Sequence, residues 1–172
     1  MTGGDDSQRE PLALRLLDSL TQGLNVAGST LILALMVLVG IDVAGRNLFG
    51  APVSGVPELV TLSIVAIVFL QIPAALRADR MTRSEALSDA LARRAPRLGR
   101  AMLTLFDLIA IAVTWVIVQT TWPIFTRAWE RAEFIGAVGD FTAPVWPVKL
   151  ILVIGGTVLI LQFAARIWRR YR

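Results

Sequence analysis

The chain has 172 residues, of which 55% are hydrophobic and 17% are charged, and its formal net charge at pH 7 is +4. Soluble globular domains are about 45–50% apolar, so this composition and a mean hydropathy of +0.65 indicate a membrane protein. The chain has no cysteine and no histidine, which excludes disulfides, thiol nucleophiles, histidine-ligated haem and structural zinc sites, and we expect no cofactor and no metal.

A leucine stands at every fourth position from Leu12 to Leu24, and charged residues such as Arg15 and Asp18 fall on the other faces. This spacing places the leucines along one stripe of a helix. We predict an N-terminal amphipathic helix that either lies at the membrane surface or extends the first membrane span.

Four long apolar segments follow, at about residues 26–49, 59–76, 101–125 and 145–167. A helix needs about 20 residues to cross a hydrocarbon core of about 30 Å, and all four segments are long enough when tilt is allowed. Their apolar runs are continuous, without the alternation of barrel strands or the polar stripes of a soluble bundle. The predicted fold is an all-α integral membrane four-helix bundle, with residues 1–172 forming a single membrane domain.

Charged residues lie close to glycine and proline in the turn between the first two spans. Asp42 and Arg46 are four residues apart, so on a helix they share a face and can pair. Glu58 follows Pro57 at the start of the second span, where the helix N-terminus favours an acid. Lys149, one turn inside the fourth span, is expected at the same depth. Either Glu58 caps its helix while the other three charges neutralise one another and fix helix packing, or some of them contact a partner subunit or a periplasmic protein.

Residues 77–100, between the second and third spans, are rich in arginine. Thr82 and Glu85 have the spacing of a capping box. The helix that this box would open has one apolar face, formed by Ala86, Leu87, Ala90 and Leu91. We predict a short amphipathic helix in a cytoplasmic loop, lying on the anionic inner leaflet or docking on a partner protein.

Asp107 lies roughly two turns inside the third span, where a charge is costly unless it is paired or reached by water. It could pair with an arginine of the neighbouring loops, such as Arg100, or it could bind a coupling proton or ion. A lone carboxylate with no second acid nearby is a weak ion site, so the sequence favours pairing.

The distribution of basic residues predicts the topology. Most of the 17 basic residues lie before the first span, in the middle loop or after the fourth span. The other side of the membrane holds only Arg46, Arg127, Arg131 and Lys149. By the positive-inside rule, both termini are predicted to be cytoplasmic. The arginines are not interleaved with aromatic residues that could stack on bases, so we expect the lipid bilayer as a partner and no nucleic acid.

The membrane midplane is mostly leucine, isoleucine, valine and alanine, whereas a translocation path normally needs broken helices, polar midplane residues or an internal repeat. Gly155 and Gly156 would allow close helix approach, inside the bundle or to another subunit. The simplest hypothesis is an accessory or scaffold subunit and not an enzyme. One alternative is an autonomous small proton-coupled membrane transporter in which Asp42 or Asp107 cycles a proton. Another is a membrane-bound enzyme or respiratory anchor, which the absence of histidine and cysteine argues against.

Several loose motifs, taken in order on a four-span chain, carry a family resemblance. The first span ends in the segment DVAGRNLFG at residues 42–50, a short proline-containing turn follows, and Glu58 opens the second span. An arginine-rich loop comes next, and the fourth span begins with the segment from Pro144 to Trp146. From about Leu20 to Ile167, the chain resembles the small membrane (Q) subunit of tripartite ATP-independent periplasmic (TRAP) transporters.

The resemblance implies a multi-pass protein of the bacterial inner membrane that scaffolds a large TRAP permease subunit, which holds the substrate and sodium sites. A periplasmic substrate-binding protein would deliver the substrate, typically an organic acid, and an ion gradient would drive uptake. Arg46 and Glu58 are then candidates for the periplasmic contact, with Asp42 fixing Arg46.

Overall fold

A computed structural model of the chain describes residues 11–78, 96–137, 139 and 141–171. Over these residues the chain forms four helices and a hairpin, in the order α1 (Leu12–Phe49), α2 (Val56–Arg77), α3 (Pro96–Glu130), β1 (Phe134–Ala137), β2 (Phe141–Pro144) and α4 (Trp146–Tyr171). Each of these helices is long and apolar enough to cross a membrane. The predicted all-α four-helix bundle is confirmed, and the short helix predicted to begin near Thr82 lies outside the described residues.

α1 is one continuous helix of 38 residues. At about 1.5 Å per residue it is roughly 57 Å long, nearly twice a hydrocarbon core of about 30 Å. The N-terminal amphipathic segment is therefore not a separate helix but extends the first span, which is one of the two predicted arrangements. The helix ends at Phe49 and is capped by Gly50, whose φ of 64° is a left-handed conformation that glycine adopts without steric cost. The N–H of Ala51 then donates to the carbonyl of Gly45 at 3.1 Å and closes the turn.

The helices pack in the order α1, α2, α4, α3, which differs from their order along the chain. α1 packs mainly on α2, α2 on α4, and α4 on α3. α4 is the most enclosed helix, with 44% of its most apolar window buried, against 22% for α2 and 11% for α1 and α3. Its Leu159 and Phe163 join Leu76 of α2 in a buried apolar cluster. α1 and α3 therefore expose most of their apolar surface, as a membrane setting permits.

Gly155 and Gly156 let α4 approach both of its neighbours closely. A Cβ at Gly155 would overlap the carbonyl oxygen of Phe69 on α2. A Cβ at Gly156 would lie 2.7 Å from Cγ2 of Val118 on α3. The predicted close approach takes place inside the bundle, with one glycine on each side of α4.

A short antiparallel hairpin connects α3 to α4, and it was not among the elements predicted from the sequence. Its two strands pair from Phe134 with Pro144 to Ala137 with Phe141. The ring of Phe141 packs against Gly55 at the start of α2, where a Cβ would overlap the ring. The hairpin therefore lies over the turn between α1 and α2. We call this the hairpin end of the bundle, and the opposite end, with the start of α1 and the end of α4, the terminal end.

Candidate functional site: ion pairs at both ends of the bundle

Asp42 organises the turn between α1 and α2. Nη2 of Arg46 donates to Oδ2 of Asp42 at 3.0 Å, and the backbone N–H of Val53 donates to Oδ1 at 2.9 Å. The carboxylate is buried, whereas the side chain of Arg46 is 63% exposed. The predicted pair is therefore present, and Asp42 also satisfies a backbone donor of the turn. The result is an arginine held in place at the hairpin end with its side chain largely accessible.

Glu58 lies in the first turn of α2, as the sequence predicted. Pro57 precedes it within the same turn, and Gly55, in a left-handed conformation, is the N-cap residue immediately before the helix. A carboxylate in the first turn faces the partial positive charge of the helix N-terminus, which stabilises both the charge and the helix. Glu58 is half-buried, close along the chain to the turn that Asp42 holds.

Lys149 pairs with Glu133, which sequence reasoning did not single out. Nζ of Lys149 donates to Oε2 of Glu133 at 2.7 Å. The hydrogen-bond partner of Lys149 is therefore the hairpin-base residue Glu133, a carboxylate outside the set of Asp42, Arg46 and Lys149 that the sequence grouped together. The hairpin explains the difference, because the N–H of Val145 donates to the carbonyl of Glu133 at 3.1 Å and thus brings Glu133 beside the first turn of α4.

The contact between Glu133 and Lys149 fastens the base of the hairpin to α4. The hydrogen bond from Lys149 holds the pKa of Glu133 below its ordinary value of 4.5, with the charges of Lys149 and Arg131 acting in the same direction and desolvation opposing them. Trp129 and Trp146 pack edge to face across the same base, with their ring centroids 4.6 Å apart. The end of α3 and the start of α4 are therefore joined at the base of the hairpin by an aromatic contact, beside the polar contact from Glu133 to Lys149.

Asp107 is paired, as the sequence favoured, and its partners come from α4. Nη2 of Arg170 donates to Oδ2 of Asp107 at 2.7 Å, and Nη1 of Arg166 lies 3.9 Å from Oδ1. Nη1 of Arg170 also donates to the hydroxyl of Thr104 at 3.0 Å, and that hydroxyl lies 3.0 Å from the hydroxyl of Tyr171. These contacts join α3 to the last turns of α4.

Asp18 is a site residue that sequence reasoning missed. Nε of Arg77 lies 3.1 Å and Nη2 of Arg169 lies 2.9 Å from its Oδ2. Nε2 of Gln162 donates to Oδ1 of Asp18 at 3.1 Å and to the hydroxyl of Thr21 at 2.8 Å. Gln162 is almost fully buried, with 2% exposed, and a glutamine inside an apolar span was the available signal. The network joins α1, α2 and α4 at the terminal end.

These contacts tie helices together and compensate charges that lie close to lipid. In the part of the chain that the structure describes, no group of three or more acidic side chains comes together that could hold a metal ion. A polar recess of about 530 Å³ lies between α1 and α2 and is lined in part by Gln22, Asn25 and Gln71. The described residues therefore present paired charges and a polar recess at the bundle surface.

A family model for the DctQ component of tripartite ATP-independent periplasmic transporters matches residues 35–172. The chain belongs to this family. It is a small permease component of the TRAP type, which confirms the resemblance seen in the sequence. No curated protein matches the chain closely enough for comparison.

The part of this DctQ chain that matches the family includes both the turn held by Asp42 and the hairpin held by Glu133. It also includes Asp107 and its partners on α4, whereas Asp18 lies in the first part of α1, before the match begins. Membership of this family assigns the chain to a membrane transport system. The four helices that are long and apolar enough to cross a membrane agree with this.

Proposed function

We propose that this DctQ chain is the non-catalytic small permease subunit of a TRAP-type secondary transporter in the bacterial inner membrane. It scaffolds a large permease subunit, which carries out ion-gradient-driven uptake of an organic acid delivered by a periplasmic binding protein. The observation that carries the scaffold role is that Asp42 and Asp107, the two carboxylates an autonomous proton-coupled transporter would use, are each bonded to an arginine. Each carboxylate is thus already engaged in a packing contact with an arginine, which favours a structural role over proton cycling.

The exposed apolar faces of α1 and α3 support the same proposal. Only 11% of the most apolar window of each helix is buried within the chain. α3 exposes Trp115 and Val116 in the middle of its length, and α1 exposes Leu33 and Met36. Lipid and the large permease subunit can both pack against such faces. The enclosed helix α4 is then the rigid centre of the scaffold.

The orientation that the proposal requires has both termini in the cytoplasm, which puts the hairpin end at the periplasmic surface. Because the chain has no cysteine, single-cysteine variants report this directly. Ala51→Cys is at the hairpin end and Leu12→Cys is at the terminal end, and both positions are exposed. A membrane-impermeant maleimide added to spheroplasts should label Ala51→Cys and leave Leu12→Cys unlabelled until the membrane is disrupted. The reverse pattern would overturn the orientation.

Arg46 is the proposed contact for the periplasmic partner, because Asp42 fixes its position while leaving its side chain exposed. Arg46→Glu should lower uptake by the full complex by about tenfold, as expected when a held charge contact becomes repulsive, while expression and membrane insertion persist. Arg46→Lys should lower uptake by less than Arg46→Glu, because lysine keeps the positive charge. Arg131→Glu makes the same charge change at another exposed position of this end and serves as the matched control. Unchanged uptake in Arg46→Glu would reject the contact.

Purification tests the scaffold role itself. The chain, solubilised in mild detergent, should co-elute in constant proportion with a much larger multi-span membrane protein. A chain that elutes alone from membranes containing the whole transport system would contradict the proposal.

A further inference from the structure

One exposed side of α3 carries side chains that can form hydrogen bonds. Trp115, Gln119 and Trp122 follow one another at spacings of four and three residues, so on a helix they share one face. All three are exposed, and each tryptophan is 54% accessible. Val118, which lies against Gly156 of α4, is on a neighbouring face of the helix. We call Trp115, Gln119 and Trp122 the α3 stripe.

The α3 stripe begins deep in the membrane. The hydroxyl of Thr104 lies 3.0 Å from that of Tyr171 at the terminal end, and Trp129 lies at the hairpin end, and such aromatic residues mark the two interfaces with water. At about 1.5 Å per residue, Trp115 is about 16 Å along α3 from Thr104 and about 21 Å from Trp129. Gln119 is about 22 Å and about 15 Å from the same two residues. In a hydrocarbon core about 30 Å thick, both residues are therefore nearer the centre than the surface.

Trp115 and Gln119 bring an indole N–H and a side-chain amide to this depth. In the part of the chain that the structure describes, neither group forms a hydrogen bond. The hydroxyl of Thr120, by contrast, donates to the carbonyl of Val116 on the same helix at 2.8 Å. An amide in hydrocarbon without a hydrogen-bond partner is costly, and lipid chains offer neither a donor nor an acceptor. A second protein with polar groups at the same depth would remove this cost.

The exposed surface of α1 differs from the α3 stripe. Residues 31–41, in the first span, include no polar side chain, and Leu33 and Met36 are both more than half exposed there. Lipid chains satisfy such a surface completely, because it has no hydrogen-bonding group to lose. The polar groups therefore distinguish the exposed side of α3 from that of α1.

We propose that the α3 stripe is the surface on which a transmembrane helix of the large permease subunit docks, with a hydrogen-bonding side chain of that helix opposite Gln119. The inference rests on the proposed function, which supplies the second membrane protein. The amide of Gln119 can both donate and accept, and Trp115 and Trp122 supply a large apolar contact area around it. α3 is at the end of the packing order α1, α2, α4, α3, so the partner helix reaches the stripe without displacing a helix of this chain.

Photocrosslinking in membranes that contain the whole transport system tests this surface. Trp115 is replaced with p-benzoylphenylalanine, which keeps an aromatic side chain at the position. Met36, on the exposed apolar surface of α1, is replaced in the same way as the matched control. Illumination should join the chain to the large permease subunit from position 115 and not from position 36. Equal yields at the two positions would overturn the proposal, and so would a product with the mass of two copies of this chain.

Gln119→Leu tests the hydrogen bond itself. The Kd of the full chain for the purified large permease subunit in detergent micelles should rise by about three- to tenfold, which is the scale of one hydrogen bond between transmembrane helices. Thr120→Val is the matched control, because it also removes an exposed polar group from α3, but one that bonds within its own helix, and the Kd should not change. An unchanged Kd in Gln119→Leu would overturn the proposal. If far-UV circular dichroism shows that Gln119→Leu is unfolded, the crosslinking result decides.

The two experiments separate this inference from the proposed function. A complex that forms normally but gives no crosslink from position 115 overturns the inference and leaves the scaffold role intact. A chain that forms no complex with the large permease subunit overturns both.

Discussion

The ion pair between Asp107 and Arg170 should contribute strongly to the attachment of α3 to α4. The two side chains are 8% and 13% exposed and lie 2.7 Å apart. Asp107→Asn preserves the shape of the side chain but leaves the guanidinium without its counter-charge. Removing one partner of a buried ion pair costs about 3–5 kcal/mol. Because Arg170 stands in the last turn of α4 and can reach water, we expect the lower end of that range, about 3 kcal/mol.

Equilibrium unfolding in mixed micelles of increasing SDS content, followed by far-UV circular dichroism, measures this loss. Asp107→Asn and Arg170→Gln should each lower the free energy of unfolding by about 3 kcal/mol, and the double variant by clearly less than the sum. Glu130→Gln neutralises an exposed carboxylate at the other end of α3, and its effect should stay within about 0.5 kcal/mol.

Two results would show that this ion pair does not hold α3 to α4. The first is that Asp107→Asn lowers the free energy of unfolding by less than about 0.5 kcal/mol, which would mean that the carboxylate does not contribute to the packing of the bundle. The second is strict additivity in the double-variant cycle, which would mean that the two side chains do not stabilise each other. Either result would reopen a proton-carrying role for Asp107.

Two further predictions concern packing and pH. Gly155→Ala places a Cβ against the carbonyl of Phe69 and should destabilise the chain by about 1–3 kcal/mol in the same unfolding assay. Gly40→Ala, which has open space around it, should cost nothing. Equal effects of the two substitutions would refute the close approach of α4 to α2. The pKa of Glu133 is lowered in the folded chain, so its bond to Lys149 stabilises the hairpin fully above about pH 4.5 and is lost as the pH falls through the lowered pKa. Near-UV circular dichroism of the wild type should therefore change on acidification below about pH 4.5, and Glu133→Gln should lack this transition. A wild-type signal that stays flat down to about pH 3 would contradict this role for the pair.

Contacts within one helix could be predicted from the sequence because helical spacing is a local rule. Asp42 and Arg46 share a face whatever the rest of the chain does, and the structure pairs them. The apolar length of each segment likewise depends only on consecutive residues, which explains why all four spans were found. The glycine pair in α4 signalled close packing for the same reason, although its partners Phe69 and Val118 could not be named.

Contacts between distant segments depended on the order of the helices, which no local pattern reveals. Gln162 reaches Asp18 across 144 residues of chain because α4 lies against both α1 and α2. Lys149 meets Glu133 because two strands of four residues each turn the chain back between α3 and α4. Strands that short show too little alternation to stand out from a loop, although a glycine between two short apolar runs was a hairpin signal.

Reconstitution into proteoliposomes tests whether the chain is a scaffold subunit or an autonomous transporter. The chain is inserted alone, and uptake of organic acids and proton flux are followed across an imposed ion gradient. We expect that the chain alone transports nothing, and that uptake appears when its large permease subunit and binding protein are added. Transport by the chain alone that is abolished by Asp42→Asn or Asp107→Asn would contradict the scaffold role.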